Sequence, residues 1–156
     1  MHGRKEEIAA ILLSSLCLLG LHAARAQNRE SLPKSSKVGL YIGTEGVCFS
    51  PGGSDCGRAA TVITTPANLL DELFHKLERA GLFTEKNREP AIVKGTPPQS
   101  FTIAVITPAE ARDFRFYLSD GATVPEKYLA ILESWPGAKN VELVKRFLAL
   151  NRERRR

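Results

Sequence analysis

The sequence is poor in the side chains on which most hydrolytic and metal chemistry depends. It holds three histidines and three cysteines in 156 residues, and only His75, Cys48 and Cys56 lie outside the first 26 residues. A catalytic triad needs a histidine close to a serine or cysteine, and tetrahedral zinc needs four suitable ligands. We therefore predict no metal, no cofactor and no catalytic residue, and interpret the chain as a noncatalytic protein.

One catalytic alternative remains open, a pair formed by Asp71 and His75. The two residues are four positions apart on a predicted helix, so the carboxylate could orient the imidazole ring. The same spacing is typical of a surface ion pair, which stabilises a helix by about 0.3 kcal/mol. An enzyme that uses this pair therefore ranks below a binding protein among our hypotheses.

Long apolar stretches are also lacking. The longest, residues 8–21, is too short to cross about 30 Å of hydrocarbon and precedes the small-x-small sequence Ala24-Arg25-Ala26. We interpret residues 1–26 as a cleavable signal peptide, with a mature chain that starts at Gln27 and is secreted or periplasmic. The alternative is an uncleaved anchor helix, because Glu6 and Glu7 make the first residues less basic than usual.

The basic character of the chain is concentrated at its C-terminus. Without residues 1–26 the net charge is +4, and residues 152–156 alone contribute +3. A high isoelectric point that arises from a tail gives no reason to predict specific binding to nucleic acid. The tail itself could hold an anionic polymer through its four arginines, which are Arg152, Arg154, Arg155 and Arg156.

The cysteines that follow the predicted signal predict a disulfide. Cys48 and Cys56 are an even pair, as expected of an exported domain, and Pro51-Gly52-Gly53 between them can reverse the chain. A loop held at both ends loses little entropy on binding, so we single out residues 49–55 as a candidate partner-binding loop. The alternative is that the disulfide only closes a turn and that the loop binds no partner. The loop consists of Phe49, Ser50, Pro51, Gly52, Gly53, Ser54 and Asp55.

The rest of the sequence predicts one α+β domain with a small antiparallel sheet packed by two or three helices. Residues 27–36 read as a flexible spacer, residues 37–151 as the domain and residues 152–156 as the basic tail. Short strand-forming runs at residues 38–43, 46–49 and 58–64 predict a meander, and residues 91–93 predict a short edge strand.

Three helices and a hairpin follow from periodicity. Leucines at steps of three and four predict a helix over residues 65–80, with Thr65 as its cap and Gly81 as its left-handed stop. Alternating apolar residues at 101–105 and 114–118 predict an antiparallel hairpin. Thr123 and Glu126 have capping-box spacing before a second helix that ends at Trp135, and a third helix is predicted over residues 138–151.

This order of elements resembles that of the emfourin-type small inhibitors of protealysin-like metalloproteases. The similar segments are the strand at 46–49, the helix at 69–83 with its Ala80-Gly81-Leu82-Phe83 ending, the strand at 101–105 and the aromatic strand at 112–120. The chain departs from that family in its export signal, its two cysteines and its third helix. The resemblance implies a noncatalytic domain that binds another protein, such as a protease, and identifies no functional residue.

Our leading hypothesis from the sequence is an exported binding protein whose partner is a protein, with protease inhibition as its most concrete form. The alternative is an envelope or surface accessory protein that binds an anionic polymer through the arginine tail. Salt distinguishes the two, because an exposed cluster of charges loses affinity as the ionic strength rises.

Overall fold

In the described part of the chain, five strands form one mixed sheet, and three α-helices pack against one of its faces. The structure is a computed structural model that describes residues 33, 36–58, 60–87, 90 and 99–156. The predicted signal, most of the spacer and the predicted edge strand at 91–93 lie outside these residues. The strands are β1 (Lys37–Ile42), β2 (Glu45–Ser50), β3 (Thr61–Thr64), β4 (Ser100–Ile106) and β5 (Ala111–Tyr117). The helices are α1 (Ala67–Arg79), α2 (Glu126–Ser134) and α3 (Glu142–Glu153).

The sheet has the order β3-β2-β1-β4-β5 and confirms the predicted α+β class. The β4–β5 hairpin is antiparallel, as predicted, and Ile103 pairs with Phe114. The prediction of a meander is wrong, because β3 runs parallel to β2 and pairs Cys48 with Val62. The chain returns from the end of β2 to its starting end before β3 begins, because Thr61 pairs with Val47. This is a crossover that the apolar pattern of the strands does not reveal.

Strand alternation separates the two faces of the sheet. Side chains at alternate positions of the strands point toward the helices and form the core, and they include Val38, Leu40, Val47, Phe49, Phe101, Ile103, Val105 and Phe114. The opposite face, called the open face below, carries Tyr41, Cys48, Ala104, Asp113 and Arg115. The contacts of the three helices lie on the core side, so within the described residues no helix covers the open face.

The single tryptophan joins the helical layer to the sheet. Trp135 is fully buried, and its ring meets Phe49 edge-on with centroids 4.8 Å apart. Its indole N–H donates a hydrogen bond to the backbone oxygen of Leu69 at 2.9 Å. A buried indole needs such a partner, and here it fixes the end of α2 against the start of α1.

The stops of α1 and α2 are as predicted, and their starts are not. Gly81 has a φ of 90° after α1, and α2 ends at Ser134 with Trp135 as its C-cap. The predicted caps are wrong, because neither helix has a side-chain cap and Pro66 and Pro125 occupy the cap positions. The Thr65 hydroxyl donates instead to the oxygen of Ile63 at 3.1 Å.

The third helix starts later than predicted and ends later as well. A short 3-10 turn, Pro136–Ala138, precedes it, and α3 then continues through Glu153. Two residues assigned to the basic tail, Arg152 and Glu153, are therefore part of the helix. None of the helices among the described residues is long and apolar enough to span a membrane.

Candidate functional site

The disulfide loop, residues 49–55, is held at both ends. Cys48 and Cys56 form the predicted disulfide, with their α-carbons 5.8 Å apart. The Ser54 amide donates to the Ser50 hydroxyl oxygen at 3.2 Å, and the Lys37 ammonium group donates to the backbone oxygen of Asp55. Because these contacts tie the loop to β1 and β2, its conformation is set before any partner arrives.

The structure divides the seven predicted loop residues into a buried part and an exposed part. Phe49 and Ser50 are the last residues of β2 and are 0% and 1% exposed, so a partner cannot reach them. Pro51 is half-buried, and the four remaining residues are exposed at the tip, namely Gly52, Gly53, Ser54 and Asp55. The surface that the loop offers to a partner is therefore smaller than the sequence suggested.

The loop leads onto the open face, where Tyr41 lies flat over two glycines. A β-carbon at Gly46 would lie 2.3 Å from Tyr41 Cδ1, and one at Gly39 would lie 2.7 Å from its Cε2. Both positions therefore have to be glycine for the ring to lie there. The Arg58 guanidinium covers the ring from the other side, 5.2 Å from its centroid.

Two arginines converge on one carboxylate beside this ring. Arg58 and Arg115 both donate to the same oxygen of Asp113, Oδ2, and the Arg115 contact is 2.7 Å long. The hydrogen bond to Asp113 raises the pKa of Arg115. The cluster has one carboxylate for two guanidinium groups, so it keeps a positive charge.

The side chain of Asn87 fixes the backbone under this cluster. Its amide nitrogen donates to the oxygen of Asp113 at 2.6 Å, and its amide oxygen accepts from the nitrogen of Arg115 at 2.9 Å. This backbone oxygen and this backbone nitrogen lie on the outer edge of β5, which is an edge strand of the sheet. Asn87 thus makes the backbone hydrogen bonds that a neighbouring strand would make, and it fixes the positions of Asp113 and Arg115.

A groove of about 390 Å³ lies between residues 56–58, which follow the disulfide loop, and strand β5. Its lining combines the charged cluster, which is Arg58, Asp113 and Arg115, with the small apolar side chains of Ala104 and Ala111. Tyr41 also lines it and is 2% exposed. The Tyr41 hydroxyl has no hydrogen-bond partner among the described residues. Burial, the largest influence, raises the pKa of Tyr41, so its hydroxyl is neutral at neutral pH.

The arginines of the predicted basic tail differ in their contacts. Arg152 binds Glu133 through two nitrogens at 2.8 and 2.9 Å, and it also contacts Glu126 at 3.0 Å. Arg155 contacts Glu126 at 3.0 Å and donates to the backbone oxygen of Val124. These two arginines therefore attach the end of α3 to α2. Arg154, Arg155 and Arg156 are all exposed, and Arg154 and Arg156 form no ion pair among the described residues.

The Asp71 and His75 pair lies on α1. His75 Nε2 is 3.7 Å from Asp71 and its Nδ1 is 3.3 Å from Glu78. Both acidic partners lie on the same helix as His75, and no serine or cysteine is among the contacts that the structure gives for the ring. Among the described residues, no group of three or more histidine, cysteine or acidic side chains could hold a metal ion.

Sequence reasoning missed the groove on the open face. Arg58 and Asp113 are 55 positions apart, and each looks like an ordinary surface residue in its own segment. The one local signal was the pattern Gly39, Tyr41 and Gly46, because glycines in strands often mark a close approach of another group.

The comparisons with known proteins give no further guide to this site. No protein-family model matches the chain, and no curated protein or solved structure matches it significantly. The resemblance to the emfourin-type inhibitors therefore stays a prediction.

Proposed function

We propose that this chain is an exported, noncatalytic protein that binds another protein through the exposed tip of its disulfide loop, residues 52–55. The observation that carries the proposal is the attachment of this tip on both sides, by the Cys48–Cys56 disulfide and by the contact between Ser54 and Ser50. A preorganised loop loses little conformational entropy on binding, so more of the contact energy remains as affinity.

Protease inhibition is the most concrete form of this proposal. The tip is a turn in which Gly53 has a φ of 67°, and it presents two exposed glycines whose backbone a partner can approach closely. A cut within residues 52–55 would leave both ends joined through the disulfide, so the products would not separate. The buried Phe49 beneath the loop packs on Trp135 and keeps its base rigid.

A bulky residue at the loop tip tests the proposal. A β-carbon at Gly52 has no atom within 4 Å, so Gly52→Arg changes the surface without disturbing the fold. Ala109→Arg, in the exposed β4–β5 turn, is the matched control. We expect the exported protein to inhibit at least one class among metallo-, serine, cysteine and aspartic proteases, and Gly52→Arg alone to weaken that inhibition. Absence of inhibition in every class would refute this form of the proposal.

Protein binding in general is tested in the same variants. Exported proteins from the native source are cross-linked to the wild type, Gly52→Arg and Ala109→Arg, and the captured proteins are identified by mass spectrometry. A partner that is lost with Gly52→Arg and kept with Ala109→Arg supports the loop as the binding surface. Equal capture by all three proteins would place the binding surface elsewhere.

Export is tested by the intact mass of the product from a secreting cell. A chain that starts at Gln27 and is two hydrogens lighter than its reduced form fits an exported, disulfide-bonded protein. A full-length product with free thiols would contradict the proposed compartment.

The alternative, an accessory protein that binds an anionic polymer through the tail, has less support from the contacts. Arg152 and Arg155 are engaged with Glu126, which leaves Arg154 and Arg156 as the arginines of the tail without an ion pair among the described residues. If binding to a sulfated polysaccharide column weakens with salt and disappears when residues 154–156 are deleted, this alternative is supported.

A further inference from the structure

We propose that the groove on the open face is a binding site for a carboxylate group attached to a small apolar body. Tyr41, Arg58 and Arg115 would hold the carboxylate, and Ala104 and Ala111 would contact the apolar part. The site is separate from the tip of the disulfide loop and does not depend on protein binding by that tip.

The hydroxyl of Tyr41 is the first observation behind this inference. It is buried on the open face and has no partner among the described residues, although buried polar groups in proteins are nearly always paired. A tyrosine placed there only for packing would serve equally well as phenylalanine. A bound ligand that accepts a hydrogen bond from this neutral hydroxyl would explain why the position holds tyrosine.

The charges around the groove are the second observation. Arg58 and Arg115 both donate to a single oxygen of Asp113, Arg115 also hydrogen-bonds Tyr117, and each guanidinium group has five N–H donors. Several donors of both arginines are thus not used by Asp113. With Lys37 and Asp55 at the edge of this face included, three positive groups meet two negative ones. A ligand with one negative charge balances the set.

The shape of the groove favours a carboxylate with a small body. Arginine and a neutral hydroxyl are typical ligands of carboxylates, because a planar guanidinium group matches the two oxygens. The groove of about 390 Å³ has room for a short side chain or a terminal dipeptide, and its aliphatic lining consists of Ala104, Ile106 and Ala111. Both a free short-chain acid and the C-terminus of a peptide have this chemistry.

The test is an NMR titration of the isotopically labelled protein with butanoate and with N-acetyl-alanyl-alanine. Butanamide and the C-terminal amide of the same peptide are the uncharged controls. We expect shifts of the backbone amides of Tyr41, Ala104 and Asp113 with the acids, at a Kd of about 1 mM or tighter, and none with the amides. Tighter binding of the peptide than of butanoate identifies a peptide C-terminus as the source, and the reverse identifies a free acid.

Variants separate a binding role of these residues from a structural one. We expect Tyr41→Phe and Arg58→Gln each to weaken binding roughly tenfold, because each removes a hydrogen bond to a charged group. Tyr41→Phe should unfold at the same urea concentration as the wild type or a higher one, since its hydroxyl is unpaired in the fold. Arg146→Gln is the matched control, because Arg146 forms an ion pair with Glu45 outside the groove.

Three results would overturn the inference. One is an absence of shifts with both acids up to about 20 mM. Another is equal shifts with the acids and their amides, and the third is unchanged affinity in both Tyr41→Phe and Arg58→Gln. Each of them would mean that the groove does not bind a carboxylate through the Tyr41 hydroxyl and that the cluster is an ion pair of the surface.

Discussion

The side-chain oxygen of Asn151, near the end of α3, accepts a hydrogen bond from the backbone N–H of Val124 at 2.8 Å. Asn151 is fully buried, and its amide nitrogen donates to the oxygen of Phe147 at 2.7 Å. Val124 lies just before α2 and is buried too. The asparagine thus satisfies a backbone group that the segment before α2 leaves unpaired, and it joins the last two helices.

Replacement of Asn151 by alanine should lower the free energy of unfolding by about 1 to 3 kcal/mol, because the buried N–H of Val124 loses its acceptor. Urea denaturation followed by circular dichroism measures the change. Asn68→Ala, at an exposed position of α1, is the matched control and should cause little or no loss. If both variants lose the same amount, the buried contact does not contribute as proposed.

Replacement of Gly137 by alanine tests the position of Trp135. A β-carbon at Gly137 would lie 2.4 Å from Cη2 of the indole, which is closer than two carbon atoms can approach. We expect a loss of about 1 to 3 kcal/mol from overpacking and a change in the near-ultraviolet circular dichroism of the tryptophan. Gly52→Ala, where the added carbon meets no atom within 4 Å, should leave both quantities unchanged. An unperturbed Gly137→Ala variant would contradict this placement of the ring.

Periodicity was sufficient to predict the elements whose apolar residues lie close together in the sequence. The leucines of α1 and the alternating residues of the β4–β5 hairpin indicate a buried stripe and a buried face, and both are present. The stop at Gly81 was predictable for the same reason, because a left-handed residue is a local requirement. The starts of the helices were not predictable in this way. The hydroxyl of Thr65 can either cap the helix or donate to the backbone oxygen of Ile63, and only the fold decides between these two contacts.

The arrangement of the strands and the groove could not be predicted from the sequence. The parallel pairing of β2 with β3 depends on the path of the chain between the two strands, and a disulfide spacing does not specify that path. The cluster of Arg58, Asp113 and Arg115 depends in addition on the register of β5. Because a shift of one residue would turn Asp113 toward the core, the site exists only once the register is set.

Loss of the disulfide should destabilise the fold and loosen the approach of Arg58 to the groove. The bond between Cys48 and Cys56 closes a short loop, and its removal is expected to lower the free energy of unfolding by about 2 to 3 kcal/mol. The measurement is urea denaturation of the wild type with and without a reducing agent. The double variant Cys48→Ala, Cys56→Ala should behave like the reduced wild type and should not respond to the reductant. A response of the double variant would show that the reductant acts elsewhere.

The buried hydroxyl of Tyr128 gives a prediction for alkaline pH. It donates to Glu85 Oε1 at 2.7 Å, and burial, followed by this hydrogen bond, raises the pKa of Tyr128 well above its ordinary value. The unfolded chain loses this proton from about pH 10, while the folded chain keeps it. The stabilisation is therefore fully present below about pH 10 and is lost as the pH rises toward the folded pKa.

We accordingly expect the urea midpoint of the wild type to fall between about pH 9 and pH 11, and that of Tyr128→Phe to fall less. The two proteins differ only at this side chain, so the difference between the two curves reports on Tyr128 and its contacts. Part of the fall should persist in the variant, because burial also raises the pKa of Tyr41. Adding Tyr41→Phe should flatten the curve further. Parallel curves for the wild type and Tyr128→Phe would mean that Tyr128 ionises alike in the folded and unfolded chains, contrary to its burial against Glu85.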